Sequence, residues 1–312
     1  MKVDELRKAI EKYDAAELKE IVVSLYKAIP KNRRESDGID ELLLNFRMER
    51  GKSAKKDAPI DINRLKAEVE QFIEYADMQY YFAPNRYVRR EKRSKWRFEV
   101  KRFIRDLLSV GGCDSEEAAR LLASVYQMLC YACDYRVFST ENPFSAVGYS
   151  QSVLLKLVIG KIFYSGLDEA AIKKAVFLTL DSRVDRETLH AELFLILIST
   201  LRTPDAKEQA LAQCEAYREE YRQEEHLNYA IELYLLLKFS LHEFDEGIRY
   251  FKKNYAERNK EAALYRLLSF MADDEFDDMW IREYESAVKK GVRPRKNLEE
   301  EYIGRKIGSA MP

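Results

Sequence analysis

The residues best suited to chemistry stand in incomplete sets. Cys130-Tyr131-Ala132-Cys133 has the C-x-x-C spacing of a dithiol exchanger or of half a zinc site. Thiol exchange needs the pair at a helix N-terminus after a strand, where the thiolate is stabilised, and a tetrahedral zinc site needs two further ligands. Here the pair falls late in a helical run, no second C-x-x-C follows, and Cys113 and Cys214 stand alone, so the pair is expected to be small buried core residues. Glu187 and His190 reproduce the Glu-x-x-His element of a di-iron bundle, yet such a centre needs two copies, and neither His226 nor His242 follows a Glu by three residues. With three histidines in all, a structural role for His190 is the expectation. Gly148-Tyr149-Ser150-Gln151-Ser152 misses the G-x-S-x-G nucleophile elbow by its last glycine and has no strand before it, so Ser150 or Ser152 reads as a helix-start residue. Asp273, Asp274, Glu275, Asp277 and Asp278 lack the glycine and the spaced glutamate of a calcium loop; they suit a helix N-terminus, whose dipole favours acids. No Walker loop, dinucleotide fingerprint or HExxH helix occurs. No metal, no cofactor and no catalytic residue is therefore expected, and an enzyme assembled from distant side chains ranks third among the functional readings.

The strongest local pattern is electrostatic. Residues 86–105 hold ten bases, Arg86, Arg89, Arg90, Lys92, Arg93, Lys95, Arg97, Lys101, Arg102 and Arg105, against two acids, Glu91 and Glu99. Tyr87, Trp96 and Phe98 are interleaved with them, and Tyr80, Tyr81 and Phe82 precede them. Basic side chains displace counterions from phosphates and exposed rings stack on bases, so this strip is the candidate polyanion site. Ahead of that reading stands a plainer one, the solvated face of an amphipathic helix whose core stripe includes Trp96 or a surface that docks on the acidic C-terminal half, and a protein partner is the third. Arg47, Arg50, Lys52, Lys55 and Lys56 form a second basic segment, read as a linker.

Helices must position these residues. Trp96, Val100, Phe103, Ile104, Leu107 and Leu108 recur at intervals of three and four, and similar spacing runs through most of the 312 residues, with no hairpin turn between alternating segments. The fold class is all-α. A 46% hydrophobic and 12% aromatic composition with 11 Gly and 7 Pro provides for a large core and excludes disordered or collagen-like chains. Fifty-three bases and 54 acids nearly cancel, but residues 1–110 carry 26 bases against 20 acids and the remainder 27 against 34. The charged start, the short apolar runs at 153–163 and 193–198 and the four scattered cysteines lead to the expectation of a cytoplasmic protein with no membrane partner.

Turns at Asp114, Asp168, Asp205, Asp245 and Asp277 separate long amphipathic segments, with gaps of 54, 37, 40 and 32 positions. The last three gaps suit stacked helical hairpins, divided as 95–134, 146–181, 185–222, 226–257 and 259–290. The stretch His242-Glu243-Phe244-Asp245-Glu246-Gly247-Ile248-Arg249-Tyr250-Phe251 resembles the second helix of a tetratricopeptide repeat, with Gly247 at its small position and Phe251 at its aromatic one. The preceding helix lacks the family's Trp and Gly, Asn259 replaces its closing Pro, and residues 276–284 echo the pattern. The resemblance implies stacked helices that bind a peptide or protein.

The expected architecture is a helical-hairpin solenoid of the tetratricopeptide or HEAT kind (111–290, its first hairpin beginning near 95), preceded by a basic N-terminal helical region (1–110) and followed by a tail (291–312). In the N-terminal region short helices are expected at 6–10, 18–28 and 42–44 and a longer one over 63–81. The leading functional expectation is a noncatalytic binding or scaffold protein gripping a protein or peptide between hairpins. The alternative is a nucleic-acid-associated protein using residues 86–105.

Overall fold

A computed structural model describes residues 12–29, 60–221 and 224–308. The chain falls into two compact units, Met1–Pro59 and Ile60–Pro312. In the first, helix α1 (Ala15–Ala28) opens with a reciprocal cap. The Glu17 amide donates to Asp14 Oδ1 at 2.8 Å and the Asp14 amide to Glu17 Oε2 at 2.9 Å, so two amides that the helix leaves unbonded find acceptors. The helices expected at 6–10 and 42–44, and the basic segment of Arg47, Arg50, Lys52, Lys55 and Lys56, lie outside the described residues.

The second unit is all helix, with no strand among its described residues. It runs α2 (Ile62–Asp77), α3 (Arg90–Arg93), α4 (Trp96–Ser109), α5 (Ser115–Asp134), α6 (Pro143–Ala146), α7 (Gln151–Ile162), α8 (Glu169–Leu180), α9 (His190–Thr200), α10 (Pro204–Glu220), α11 (Glu224–Ser240), α12 (Phe244–Asn254), α13 (Lys260–Ser269), α14 (Asp277–Lys289) and α15 (Lys296–Gly308). None of these helices is long and apolar enough to cross a membrane.

Local chemistry sets the helix ends. Asp61, Ser150, Asp168, Thr203 and Asn259 are N-caps whose side chains accept from amides two or three residues ahead, and Pro204 takes the first helical position, where no amide is needed. Of the five turn aspartates, only Asp168 caps through its side chain; Asp205, Asp245 and Asp277 sit in first turns, where the helix dipole favours a carboxylate. Helix α2 stops at Asp77, short of the Tyr81 expected from the sequence. There Gln79 takes a left-handed φ of 56°, and the resulting turn swings Tyr81 into the core against Phe72, ring centroids 4.9 Å apart.

Two cores follow. The first runs from Leu65 to Leu237, continuously across position 110, and combines α2, α4, α5, α7, α8, α9, α10 and one face of α11. The second joins Ile231, Leu235 and Phe239, at intervals of four on the other face of α11, to Phe251, Leu264, Trp280 and Leu298 from α12 to α15. Packing links α5 to α7, α7 to α9 and α9 to α11, and separately α8 to α10, while α4/α5, α7/α8, α8/α9, α10/α11, α11/α12 and α13/α14 pack as consecutive pairs. Helices α9 and α10, expected to form the hairpin 185–222, do not pack as such a pair, because each lies against α11 instead. A helix buried on two faces must be apolar nearly all round. Its exceptions are matched: Glu232, 2% exposed, receives both ends of the Arg266 guanidinium at 2.6 and 2.5 Å, and Lys238 donates to Glu243 at 2.6 Å. Gln151, the residue between the two serines of the elbow-like motif, is fully buried instead. It donates to the Arg183 carbonyl and to Tyr126, and accepts from the Asp185 amide, so it ties α7 to α5 and to the α8–α9 loop.

Helix α12 packs tightly on α11 at Gly247, where an added Cβ would lie 3.0 Å from Lys238 Cβ and 3.2 Å from Leu235 Cδ1; at Gly160 in α7 the same position is open. Gly247→Val should therefore lower stability by about 2 kcal/mol through overpacking, whereas Gly160→Ala should raise it by about 0.5–1 kcal/mol through helix propensity, both read by urea denaturation.

Candidate polyanion interface

The strip begins in the loop after α2. Asn85 holds this loop: its side-chain amide donates to the carbonyls of Tyr80 (2.6 Å) and Ala83 (2.7 Å), and its Oδ1 accepts from the amides of Tyr87 (2.9 Å) and Val88 (2.7 Å). With Val88 anchored in the core, Tyr87 stacks on Tyr80 at 4.7 Å and stays 50% exposed. Arg93 completes the clamp by donating to the carbonyls of Val88 and Asn85, both at 3.1 Å. Of the ten candidate bases, Arg93 thus serves the backbone.

Two more are spent on carboxylates. Arg102 reaches Glu68 of α2 at 2.6 Å and Arg105 reaches Asp106 at 2.8 Å. The bond from Arg102 holds the Glu68 carboxyl below its usual range. The docking of the strip on the acidic C-terminal half is not what the structure has: among the described residues, none of these bases pairs with a carboxylate beyond Asp106.

Seven remain. Arg86, Arg89, Arg90, Lys92, Lys95, Arg97 and Lys101 are exposed, and among the described residues none has a carboxylate within 4 Å. The strip's own acids, Glu91 and Glu99, form no ion pair with them. Glu99 is half-buried and turned toward the Tyr81 hydroxyl at 3.4 Å, and burial pushes its pKa up; Glu91 is exposed. Trp96 lies in the core, stacked on Phe138 at 3.8 Å, as its place in the apolar stripe predicts. Phe98, one position past Arg97, points outward at 56% exposure with that guanidinium 5.0 Å from its ring centre, and Arg86 lies 5.2 Å from the Tyr87 ring centre. Lys101 extends the strip to the α6–α7 turn, its ammonium 3.2 Å from where a Cβ on Gly148 would stand.

The other candidate chemistry resolves into structure. Cys130 is buried, its Sγ accepting from the Gln151 side-chain amide at 3.5 Å; burial pushes its thiol up to about 12, so it stays protonated, and Cys133 is raised by the same cause. His190 stacks on Tyr229 at 3.9 Å with Nε2 3.1 Å from the Ser182 carbonyl. Ser150 caps α7. Asp277 pairs with Arg305 of α15. Among the described residues no group of three or more His, Cys, Asp or Glu side chains is placed to hold a metal ion. The Asn85 clamp escaped the sequence reading, where Pro84-Asn85 was its one signal, a turn-forming pair. Comparison with protein-family models, curated proteins and solved structures finds no match to the chain, so the tetratricopeptide likeness rests on the residues around Gly247 and their echo at 276–284.

The clamp and the strip should separate under mutation. Arg93→Ala leaves two loop carbonyls without their donor and should cost about 1–3 kcal/mol, while Arg89→Ala should stay within about 0.5 kcal/mol of wild type in the same urea titration.

Proposed function

We propose that the chain is a cytoplasmic, noncatalytic binding protein that lays a single strand of nucleic acid along its basic strip, on a scaffold of stacked helical hairpins. The carrying observation is the row of seven exposed bases that, among the described residues, have no carboxylate within 4 Å. Like charges held side by side repel, and an anionic backbone relieves that repulsion while releasing its own counterions. Half-exposed Tyr87 and Phe98 favour a single strand over a duplex, because unpaired bases offer faces on which rings can stack.

The stacked-hairpin reading draws support from a series of bridges from α5 to α8 and then between alternate helices: Lys174 to Glu116 (α8 to α5, 3.0 Å), Tyr217 to Asp181 (α10 to α8, 2.6 Å), Arg218 to Tyr250 (α10 to α12, 2.6 Å) and Lys252 to Glu283 (α12 to α14). A regular ladder of this kind is what a solenoid of hairpins requires. It also favours a second reading, in which a protein or peptide partner is gripped between hairpins. Clefts of about 360 Å³ between α5 and α8 and about 330 Å³ between α12 and α14 occupy corresponding places in that ladder.

Fluorescence anisotropy with a short single-stranded DNA oligonucleotide tests the first reading. If about five phosphates are neutralised, log affinity should fall against log salt with a slope of about −3.5. Combined Arg89→Glu, Arg90→Glu and Lys92→Glu should weaken binding on the order of 100-fold at low salt without loss of helix content. Tyr87→Ala or Phe98→Ala should each cost roughly 5- to 100-fold, the worth of one stacked base. Salt-insensitive binding, or a duplex bound as tightly as the single strand, overturns the proposal.

A further inference from the structure

Among the described residues two lysines are buried, and their surroundings differ. Lys238 has Glu243 at 2.6 Å and Glu246 at 3.3 Å; burial disfavours its charge, but these bonds outweigh it and raise its pKa. Lys161, in the last turn of α7 and 5% exposed, has none: no carboxylate lies within 4 Å among the described residues. Its ammonium donates to the Val110 carbonyl at the end of α4 and lies 5.1 Å from the Tyr164 ring centre, which leaves an ammonium with three donors and one bonded acceptor. Burial lowers its pKa, the mark of a charge that nothing nearby compensates.

This lysine lines the cleft between α5 and α8. The walls are Ala119 and Ala123 of α5 and Ala171 and Phe177 of α8, whose small or flat side chains leave the space open. The cleft's carboxylates are already engaged. Glu116 is held at the rim by Lys174, Asp168 caps α8 through the Ala171 amide at 2.7 Å, and Asp181 accepts the Tyr217 hydroxyl at 2.6 Å. The other two cations of the lining are paired, Arg120 with Glu117 and Glu70 and Lys174 with Glu116. That leaves Lys161 as the desolvated cation without a carboxylate among the described residues, in a cleft at the small end of ligand-pocket volumes that fits one anionic group flanked by short apolar ones.

We propose that this cleft receives an acidic side chain of a partner peptide, its carboxylate seated on the Lys161 ammonium and the neighbouring apolar side chains packed against Ala119, Ala123 and Phe177. The inference rests on the second reading above, that partners bind between hairpins, and it is independent of the basic strip. It names the chemistry of that partner. Buried charges that pair and hydrogen-bond give specificity more than raw affinity, so discrimination between Glu and Gln is the property to measure.

The test is selection of N-acetylated, C-amidated hexapeptides from a random library on the intact chain, against Lys161→Met and against Ala123→Trp, which fills the cleft from the opposite wall without touching charge. Circular dichroism establishes that each variant is folded. The expected result is enrichment of Asp- or Glu-bearing peptides whose affinity falls at least tenfold with Ala123→Trp, with Lys161→Met, and when the peptide acid becomes its amide. The last change should cost nothing further in Lys161→Met, since the two partners form one coupled pair. If enriched peptides are lost with Ala123→Trp but carry no acid, or bind Lys161→Met undiminished, the cleft binds peptides and the acidic assignment is wrong. If nothing is enriched, or enriched peptides ignore Ala123→Trp, the cleft reading fails with it.

Discussion

The unit from Ile60 onward depends on α11 having two buried faces. Ala230, Leu233, Tyr234 and Leu237 close the first core, while Ile231, Leu235 and Phe239 open the second, so one helix supplies the wall on which both are built. Each such side chain is worth roughly 1.5–3 kcal/mol of burial, but the arrangement leaves no solvent face on which to put charge. Glu232 is therefore tied to Arg266 in a fork of two bonds, with the Tyr255 hydroxyl at 3.2 Å as a third donor. A buried pair of this quality adds little net stability, yet breaking it strands a charge in the core. Gly247 belongs to the same constraint, because α12 can close over α11 only where no Cβ intervenes.

What α11 does at the centre, α4 does at one edge with opposite consequences for charge. Trp96, Val100, Phe103, Ile104 and Leu107 all point into the first core, and the other faces of α3 and α4 are left to bases. Neutralisation by the molecule's own acids was the obvious alternative. It accounts for Arg102 and Arg105, since Glu68 and Asp106 lie beside them, and among the described residues it reaches no further base of the strip, Arg93 serving the backbone instead. Glu99 faces inward and Arg93 is committed to the loop backbone, so the strip retains a cationic surface with two half-exposed rings, Tyr87 in the loop that Asn85 ties and Phe98 on α4. The proposed single-strand site is a consequence of that geometry: a ring whose loop need not be ordered on binding, beside charges that among the described residues have no carboxylate within 4 Å.

Much of this was legible in the sequence, for identifiable reasons. The three-and-four spacing from Trp96 to Leu107 predicts both the helix and its buried face, and the late position of Cys130 in its helix keeps it from the N-terminus that would stabilise a thiolate. What escaped were contacts between residues remote in sequence. Gln151 was visible only as a spacer between two serines, although its side chain joins partners 21 to 34 positions away. Asp205, Asp245 and Asp277 marked the turns correctly without capping them, because a first-turn carboxylate and an N-cap look alike in sequence and differ by one backbone conformation. The uncompensated charge of Lys161 was likewise invisible, since it is defined by carboxylates that other helices fail to bring near.

The most direct measurement of the central claim is photocrosslinking of a single-stranded oligonucleotide carrying 4-thiothymidine to the intact chain, with the adducts located by mass spectrometry. The account predicts adducts on Tyr87 and Phe98 and within residues 86–101, diminishing as salt is raised. Adducts concentrated on α12 to α15, or spread evenly over the surface, would contradict it.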